Sequence, residues 1–173
     1  MDAPLLSQLL ELGIDESYLK NYKLSEQKEC GRLVEAEPDI FGRVQLMSPE
    51  TLSCWRKLKG AAKKDSIELH LVSAFRSVKY QHELIMNKLK NGEELSAILE
   101  VNAIPGFSEH HTGRALDLST SESPPLSEEF ELTKAFEWLQ ENAANYQFSM
   151  SFPRSDDRGI IYEPWHWLCQ ISS

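Results

Sequence analysis

The sequence predicts an α+β fold, and three observations carry that prediction. Helical and strand-like periodicities are mixed along the chain without a β-α-β rhythm. The last two strand candidates are joined by Asp156-Asp157-Arg158-Gly159, a good hairpin loop, so they pair antiparallel. With 173 residues, 41% hydrophobic and 26% charged, the chain suits one globular domain with an ordinary core.

Element by element, Leu5, Leu6, Leu9, Leu10 and Leu12 predict a short amphipathic helix closed by Gly13. A second short helix covers Glu16 to Tyr22, and Lys23 to Met47 reads as loops with short elements. Residues 1–47 thus form an N-terminal helical accessory region, and 48–171 the core of a single domain spanning 1–173. Ser48-Pro49 is a helix start, Ser as N-cap and Pro at the first helical position. Leu52, Trp55 and Leu58 carry that helix to about Lys64. Ile67 to Phe75 follows as a strand, with Ile67, Leu69, Leu71, Ser73 and Phe75 on one face and Glu68, His70, Val72, Ala74 and Arg76 on the other. Tyr80, Leu84, Ile85 and Leu89 mark a helix closed by Asn91-Gly92, and Glu94 to Leu99 a short one. Arg114 to Leu118 reads as a short strand after Gly113, and Thr133 to Asn145 as a helix. Phe148 to Phe152 and Ile160 to Ile171 are the hairpin strands.

A net charge of −9 disfavours nucleic acid and anionic membrane as partners, because an acidic surface attracts neither. Cys30, Cys54 and Cys169 are odd in number and lack a C-x-x-C spacing, so free thiols are expected, not a disulfide framework or a cysteine metal site. With Met1 as the native start, the N-terminus has no basic stretch or unbroken apolar run, which places the chain in the cytoplasm.

Chemistry concentrates in two clusters. The first runs from Ser108 through Glu109, His110, His111, Thr112, Gly113, Arg114, Ala115 and Leu116 to Asp117. The second is Tyr162-Glu163-Pro164-Trp165-His166-Trp167. A catalytic zinc takes three protein ligands and leaves a position for water, and His110, Asp117 and His166 supply two nitrogens and one oxygen. Glu163, three residues before a ligand, is then free to accept a proton from water as general base. Taken singly, each motif is weak: a lone Glu-x-x-His or His-His pair has little meaning, and Gly113 alone is a turn residue. Their joint occurrence in one small chain carries the expectation.

These residues also resemble a family. Ser108-x-His110-x-x-Gly113-x-Ala115-x-Asp117 followed by Glu163-Pro164-Trp165-His166 is similar to the motifs of VanY-like D-alanyl-D-alanine carboxypeptidases. Ser73-Ala74-Phe75-Arg76-Ser77 with Gln81 resembles their arginine motif, and Asn142-Ala143, Tyr146-x-Phe148 and Phe152-Pro153-Arg154 their approach to the last motif. The resemblance implies a central antiparallel sheet flanked by helices, the fold of the hedgehog signalling domain. It implies His110, Asp117 and His166 as zinc ligands and Glu163 as the base that returns its proton to the leaving amine. Arg76 would hold substrate and stabilise the tetrahedral intermediate, while Ser108 and Gln81 would contact the peptide's terminal carboxylate. Arg suits an exopeptidase through its charge and fork geometry; a surface salt bridge is the alternative for Arg76. Ser108 suits a turn equally well, and Gln81 a solvated helix position. Trp165 and Tyr162 suit either a cleft wall or the core. His111 reads as a residue behind a ligand or on the substrate side, and His70 and His82 as structural or exposed.

The expected reaction is removal of a C-terminal D-amino acid, D-Ala of a peptidoglycan stem peptide. A cytoplasmic D,D-carboxypeptidase would destroy the cell's own pentapeptide precursors, so the reading leans to an L,D-carboxypeptidase acting on tetrapeptides in wall recycling. The rivals are a D,D-carboxypeptidase or D,D-dipeptidase, and a zinc-bearing binding module without catalysis. Glu163 argues against the module, because a purely structural site needs no base. A serine or cysteine hydrolase is disfavoured by the absence of a Gly-x-Ser-x-Gly elbow and of a cysteine with an evident histidine partner.

Overall fold

The structure, a computed structural model, describes residues 1–171. Its elements in order are α1 (Ala3–Glu11), α2 (Glu16–Asn21), β1 (Val34–Pro38), β2 (Val44–Met47), α3 (Pro49–Lys64), β3 (His70–Ser73), α4 (Val78–Lys90) and α5 (Leu95–Glu100). Then come β4 (Ala115–Ser119), α6 (Lys134–Asn142), β5 (Phe148–Met150) and β6 (His166–Cys169), with 3-10 turns at Glu109–Thr112, Glu128–Leu132 and Ala143–Tyr146. The central sheet has the order β3-β4-β6-β5 and every pairing in it is antiparallel. The α+β expectation and the flanked antiparallel sheet are both observed.

Period-two alternation along β4 and β6 divides the sheet into two faces. Leu116 stands opposite Trp167. Both, with Leu118 and Cys169, join the main core beneath α3 and α6 (Trp55, Leu58, Phe136, Leu139). Asp117 stands opposite His166, so these two point together to the other face. The core packing on one side therefore aims a carboxylate and an imidazole at the same place on the other.

The β3 expectation needs correction. The strand is shorter than Ile67 to Phe75, and its register slips between Leu71 and Ser73. That irregularity breaks the strict alternation, so Leu71 and Ala74 both belong to the main core. Beyond the slip the chain turns away, and the Phe75 amide donates to Leu46 O in β2 (2.9 Å). The stretch read as loops before Met47 holds a hairpin, β1 with β2. Its turn is stapled by Asp39, whose carboxylate accepts from the Phe41 and Arg43 amides, Arg43 Nε and Gln45 Nε2. The last two strands pair as foreseen, but β6 begins only at His166, and 151–165 is a long loop.

Helix ends follow the residues that dictate them. Ser48, Ser77 and Thr133 each cap a helix by accepting a backbone amide, at Thr51, Tyr80 and Phe136. Of the 1–47 region, Leu5, Leu9, Leu12 and Ile14 meet Ile85 of α4 and Ile98 and Leu99 of α5, while Met47 joins the main core with Val34 and Ala36 packed against it. Leu24 then packs against Phe152 and Ile160, two residues that wall the cavity described next.

Candidate metal centre

Asp117 lies in β4 and His166 opens β6, side by side in the register. His110 arrives from the 3-10 turn Glu109–Thr112. That turn closes on Gly113, whose φ of +65° is left-handed and whose Cβ, if it had one, would stand 3.0 Å from Ser48 N. The three side chains each offer a ligand atom, and these atoms lie within 4.8 Å of one another. All three residues are buried.

The donor set fits a divalent cation on two grounds. His110 Nδ1 lies 2.5 Å from Ala74 O, so Nδ1 carries the proton and donates it to that carbonyl. Burial, aided by the Arg76 charge, lowers the His110 pKa to about 4, so the ring is neutral at pH 7. Its Nε2 is then a bare lone pair, buried without a hydrogen bond, 3.2 Å from Asp117 Oδ2. Two electron-rich atoms face each other, an arrangement that a shared cation stabilises. His166 gives the second ground. Burial alone would lower its pKa, but hydrogen bonds with Asp117 and Glu109 outweigh that and push it up to about 10. Burial also opposes ionisation of Asp117, yet the hydrogen bond and charge of His166 hold its carboxyl below the usual carboxylate range. The cluster thus draws positive charge to the point where His110, Asp117 and His166 meet. Two imidazole nitrogens and a carboxylate are a donor set suited to zinc.

Glu163 sits at the cluster's edge, its Oε2 3.7 Å from His166 Nδ1. Burial pushes its pKa up to about 7, with the His166 charge pulling the other way. Arg76, at the chain turn after β3, completes the cavity wall with Ser108 and Asn102. Its Nη1 donates to Gln81 Oε1 (3.2 Å), and its Nη2 lies 3.8 Å from Asp117 Oδ2. Its Nε is buried without a partner.

The other expected residues fall in several places. Ser108 lines the cavity and its Oγ accepts from the His110 amide (3.4 Å). Gln81 is not a solvated helix residue: it is 1% exposed, lies behind Arg76, and its Nε2 donates to Ala103 O (2.8 Å). It does not line the cavity, and its Oε1 accepts from Arg76 Nη1. Trp165 belongs to the main core beside Trp167, and Tyr162 lies under the Arg154 guanidinium at 4.2 Å. Neither lines the cavity wall described here. His111 is fully buried, with Nδ1 donating to Arg76 O (2.6 Å) and Nε2 accepting from the Gly106 amide (3.1 Å). It therefore anchors the main chain that carries Arg76. Sequence reasoning missed Glu109, Asn102 and Phe152. Glu109 stands next to a ligand in the Ser-Glu-His run, but its partner, His166, is 57 residues away and only the fold brings them together.

An antiparallel sheet flanked by helices thus carries a His-Asp-His cluster with a buried glutamate beside it, the donor set and acid–base group that a metal-dependent hydrolase uses. Residues 44–170 match the family model described as VanY: D-alanyl-D-alanine carboxypeptidase. The chain belongs to the VanY family. It is 38% identical over 154 residues to YodJ of Bacillus subtilis (strain 168), covering 85% of this chain and 56% of that protein. The chain thus spans little more than half the length of that relative. The structure of the LdcB LD-carboxypeptidase matches with a TM-score of 0.74 at 32% identity, over 86% of this chain and 75% of that one. A vancomycin resistance D,D-pentapeptidase VanY, solved in complex with Zn(II), shares the fold with a TM-score of 0.66 at 20% identity, over 87% and 88% of the two chains.

Proposed function

We propose that this chain is a zinc carboxypeptidase that removes the C-terminal D-Ala from peptidoglycan stem peptides, acting on the L,D bond of tetrapeptides. One observation carries the reading: ligand atoms of His110, Asp117 and His166 converge within 4.8 Å beside Glu163, a buried carboxylate left out of the cluster. Membership of the VanY family supports the carboxypeptidase class. The L,D preference draws on the likeness to LdcB. The catalytic core is residues 48–171, and 1–47 back the cavity wall at Phe152 and Ile160 through Leu24.

His110, Asp117 and His166 would hold the zinc, which would supply Lewis acidity toward the scissile carbonyl and the attacking water. Glu163 takes the proton from the attacking water and returns it to the leaving amine. Burial raises its proton affinity, which suits a group that must take up a proton and release it again. Arg76 offers the substrate its unpartnered Nε and the Nη2 edge of its fork, while Gln81 holds Nη1 in place. Preorganised charge of this kind contributes most where water is excluded, as around this buried cluster. Ser108 stands on the same wall, and its Oγ would meet the terminal carboxylate.

The experiment is incubation with defined tetra- and pentapeptide muropeptides, with and without a chelator and added zinc, and weighing of the products. Loss of one alanine from the tetrapeptide, abolished by chelation and restored by zinc, is the expected result. Cleavage of the pentapeptide alone would replace the L,D reading with the D,D reading that the family description favours. No turnover of any peptide by zinc-loaded protein would leave a zinc-binding module.

A further inference from the structure

Glu109 has no task in the reaction just described, yet it is built into the site. Its side chain is 13% exposed and lines the cavity. Its Oε2 lies 2.9 Å from His166 Nε2, whereas Asp117 Oδ1 lies 3.1 Å from Nδ1 of the same ring. The two nitrogens are therefore divided between two carboxylates. A neutral imidazole has one proton to donate, and a carboxylate can only accept. Where a cation displaces the Nδ1 proton, the one that remains is directed to Glu109 and the Nδ1 lone pair to the cation position. Glu109 is itself held from outside the cluster. Ser151 and the Arg158 guanidinium stand beside its carboxylate. Arg158 in turn pairs with Asp156 (Nε to Oδ2, 2.8 Å) and donates to Ser151 O. The carboxylate is thus fixed from the 151–158 loop as well as from its own turn.

We propose that Glu109 is a positioning residue of the metal centre, setting the tautomer and ring plane of His166 so that Nδ1 is presented to the cation. The proposal rests on the reading of His110, Asp117 and His166 as metal ligands. The two histidines are oriented by different means. His110 is held by a main-chain carbonyl, Ala74 O, which no substitution removes. His166 is held by a side chain, which a substitution does remove. A partner of this type sets ligand orientation and basicity, and its loss costs about 10–100-fold in metal affinity.

The test is zinc affinity, measured without turnover by competition with a chromophoric chelator. Melting of the metal-free proteins is followed in parallel. Wild type, Glu109→Ala, Glu109→Gln, Glu163→Gln and His166→Ala are compared. Glu109→Ala should bind zinc about 10–100-fold more weakly than wild type. Glu109→Gln keeps an acceptor oxygen without the charge and should fall between the two. Glu163→Gln should bind as wild type does, and His166→Ala should lose most of the affinity. Unchanged affinity in Glu109→Ala, even with a lowered melting temperature, shows a structural role only and overturns the proposal. Should Glu109→Ala fail to fold, Glu109→Gln decides, and wild-type affinity there overturns it equally. If His166→Ala binds as tightly as wild type, the ligand reading itself falls and takes this proposal with it. The two failures are thus told apart by which variant keeps its affinity.

Discussion

At the scale of single residues, the site separates groups that grip charge from groups that move it. In the proposed reaction Glu163 is the mover. Replacing it with Ala should leave zinc bound, because it is not among the three converging ligands. The same change should lower kcat by ~10²–10⁴-fold, the usual worth of general acid–base catalysis. Metal analysis alongside steady-state kinetics checks both halves, and normal turnover in the zinc-loaded variant would refute the assignment. Gln81 works through Arg76. Its amide is spent on both ends, accepting from Arg76 Nη1 and donating to Ala103 O. Gln81→Ala frees the guanidinium to swing, so kcat/KM should fall by about 10-fold, equivalent to ~1.4 kcal/mol of lost transition-state stabilisation. Zinc affinity should stay at the wild-type value, which separates this effect from damage to the metal cluster.

At the scale of elements, two turns carry much of the placement. The 3-10 turn that delivers His110 closes on Gly113, and the Gly113 carbonyl accepts from Ser48 N (3.0 Å) at the start of α3. Gly113→Ala places a Cβ in a left-handed conformation and 3.0 Å from that same amide. A loss of about 1–3 kcal/mol is expected, read as a lower denaturant midpoint. The β1–β2 turn depends on Asp39. Burial opposes ionisation of this carboxyl, but hydrogen bonds from the Arg43 and Phe41 amides and the Arg43 guanidinium outweigh it and lower its pKa. Because the folded value lies below the unfolded ~3.9, its contribution is present above about pH 4 and is lost as pH falls through the folded pKa. Asp39→Asn should therefore be less stable than wild type at pH 7. The gap between them should narrow as the solution is acidified below pH 4, which denaturant melts across that range would show.

For the whole molecule, stability and metal binding are one equilibrium. The ligands come from the turn before β4, from β4 and from β6, so an ion held among them binds the folded chain and not the unfolded one. Chelation should lower the melting temperature, and free zinc at 100 times its Kd should restore about 2.7 kcal/mol. Calorimetry with and without zinc measures this, and a melting temperature indifferent to zinc would count against the cluster as a metal site. The two apolar clusters divide the labour. One, between α3, α6 and the sheet, fixes the register that pairs Asp117 with His166. The other joins α1 to α4 and α5, while Leu24 of the same N-terminal region supports the cavity wall. Among the described residues no helix is long and apolar enough to cross a membrane.

Much of this was legible in the chain itself. Helices announce themselves locally: Ser48-Pro49 and Asn91-Gly92 lie at the ends of α3 and α4, because caps act within a few residues. The ligand and base residues stood out because few side chain types do that chemistry and they occur in two tight runs. Partners distant in sequence leave no such local mark. His110 and Ala74 are 36 residues apart, and His166 is 49 from Asp117. The slip in β3, the burial of Gln81 behind Arg76 and the core position of Trp165 were settled only when strands paired and helices packed. Residue chemistry is carried by the side chain wherever it lies, so the sequence alone determined which groups were available. Orientation, tautomer and solvent exclusion belong to neighbours brought in by packing, so only the tertiary structure decided how those groups are used.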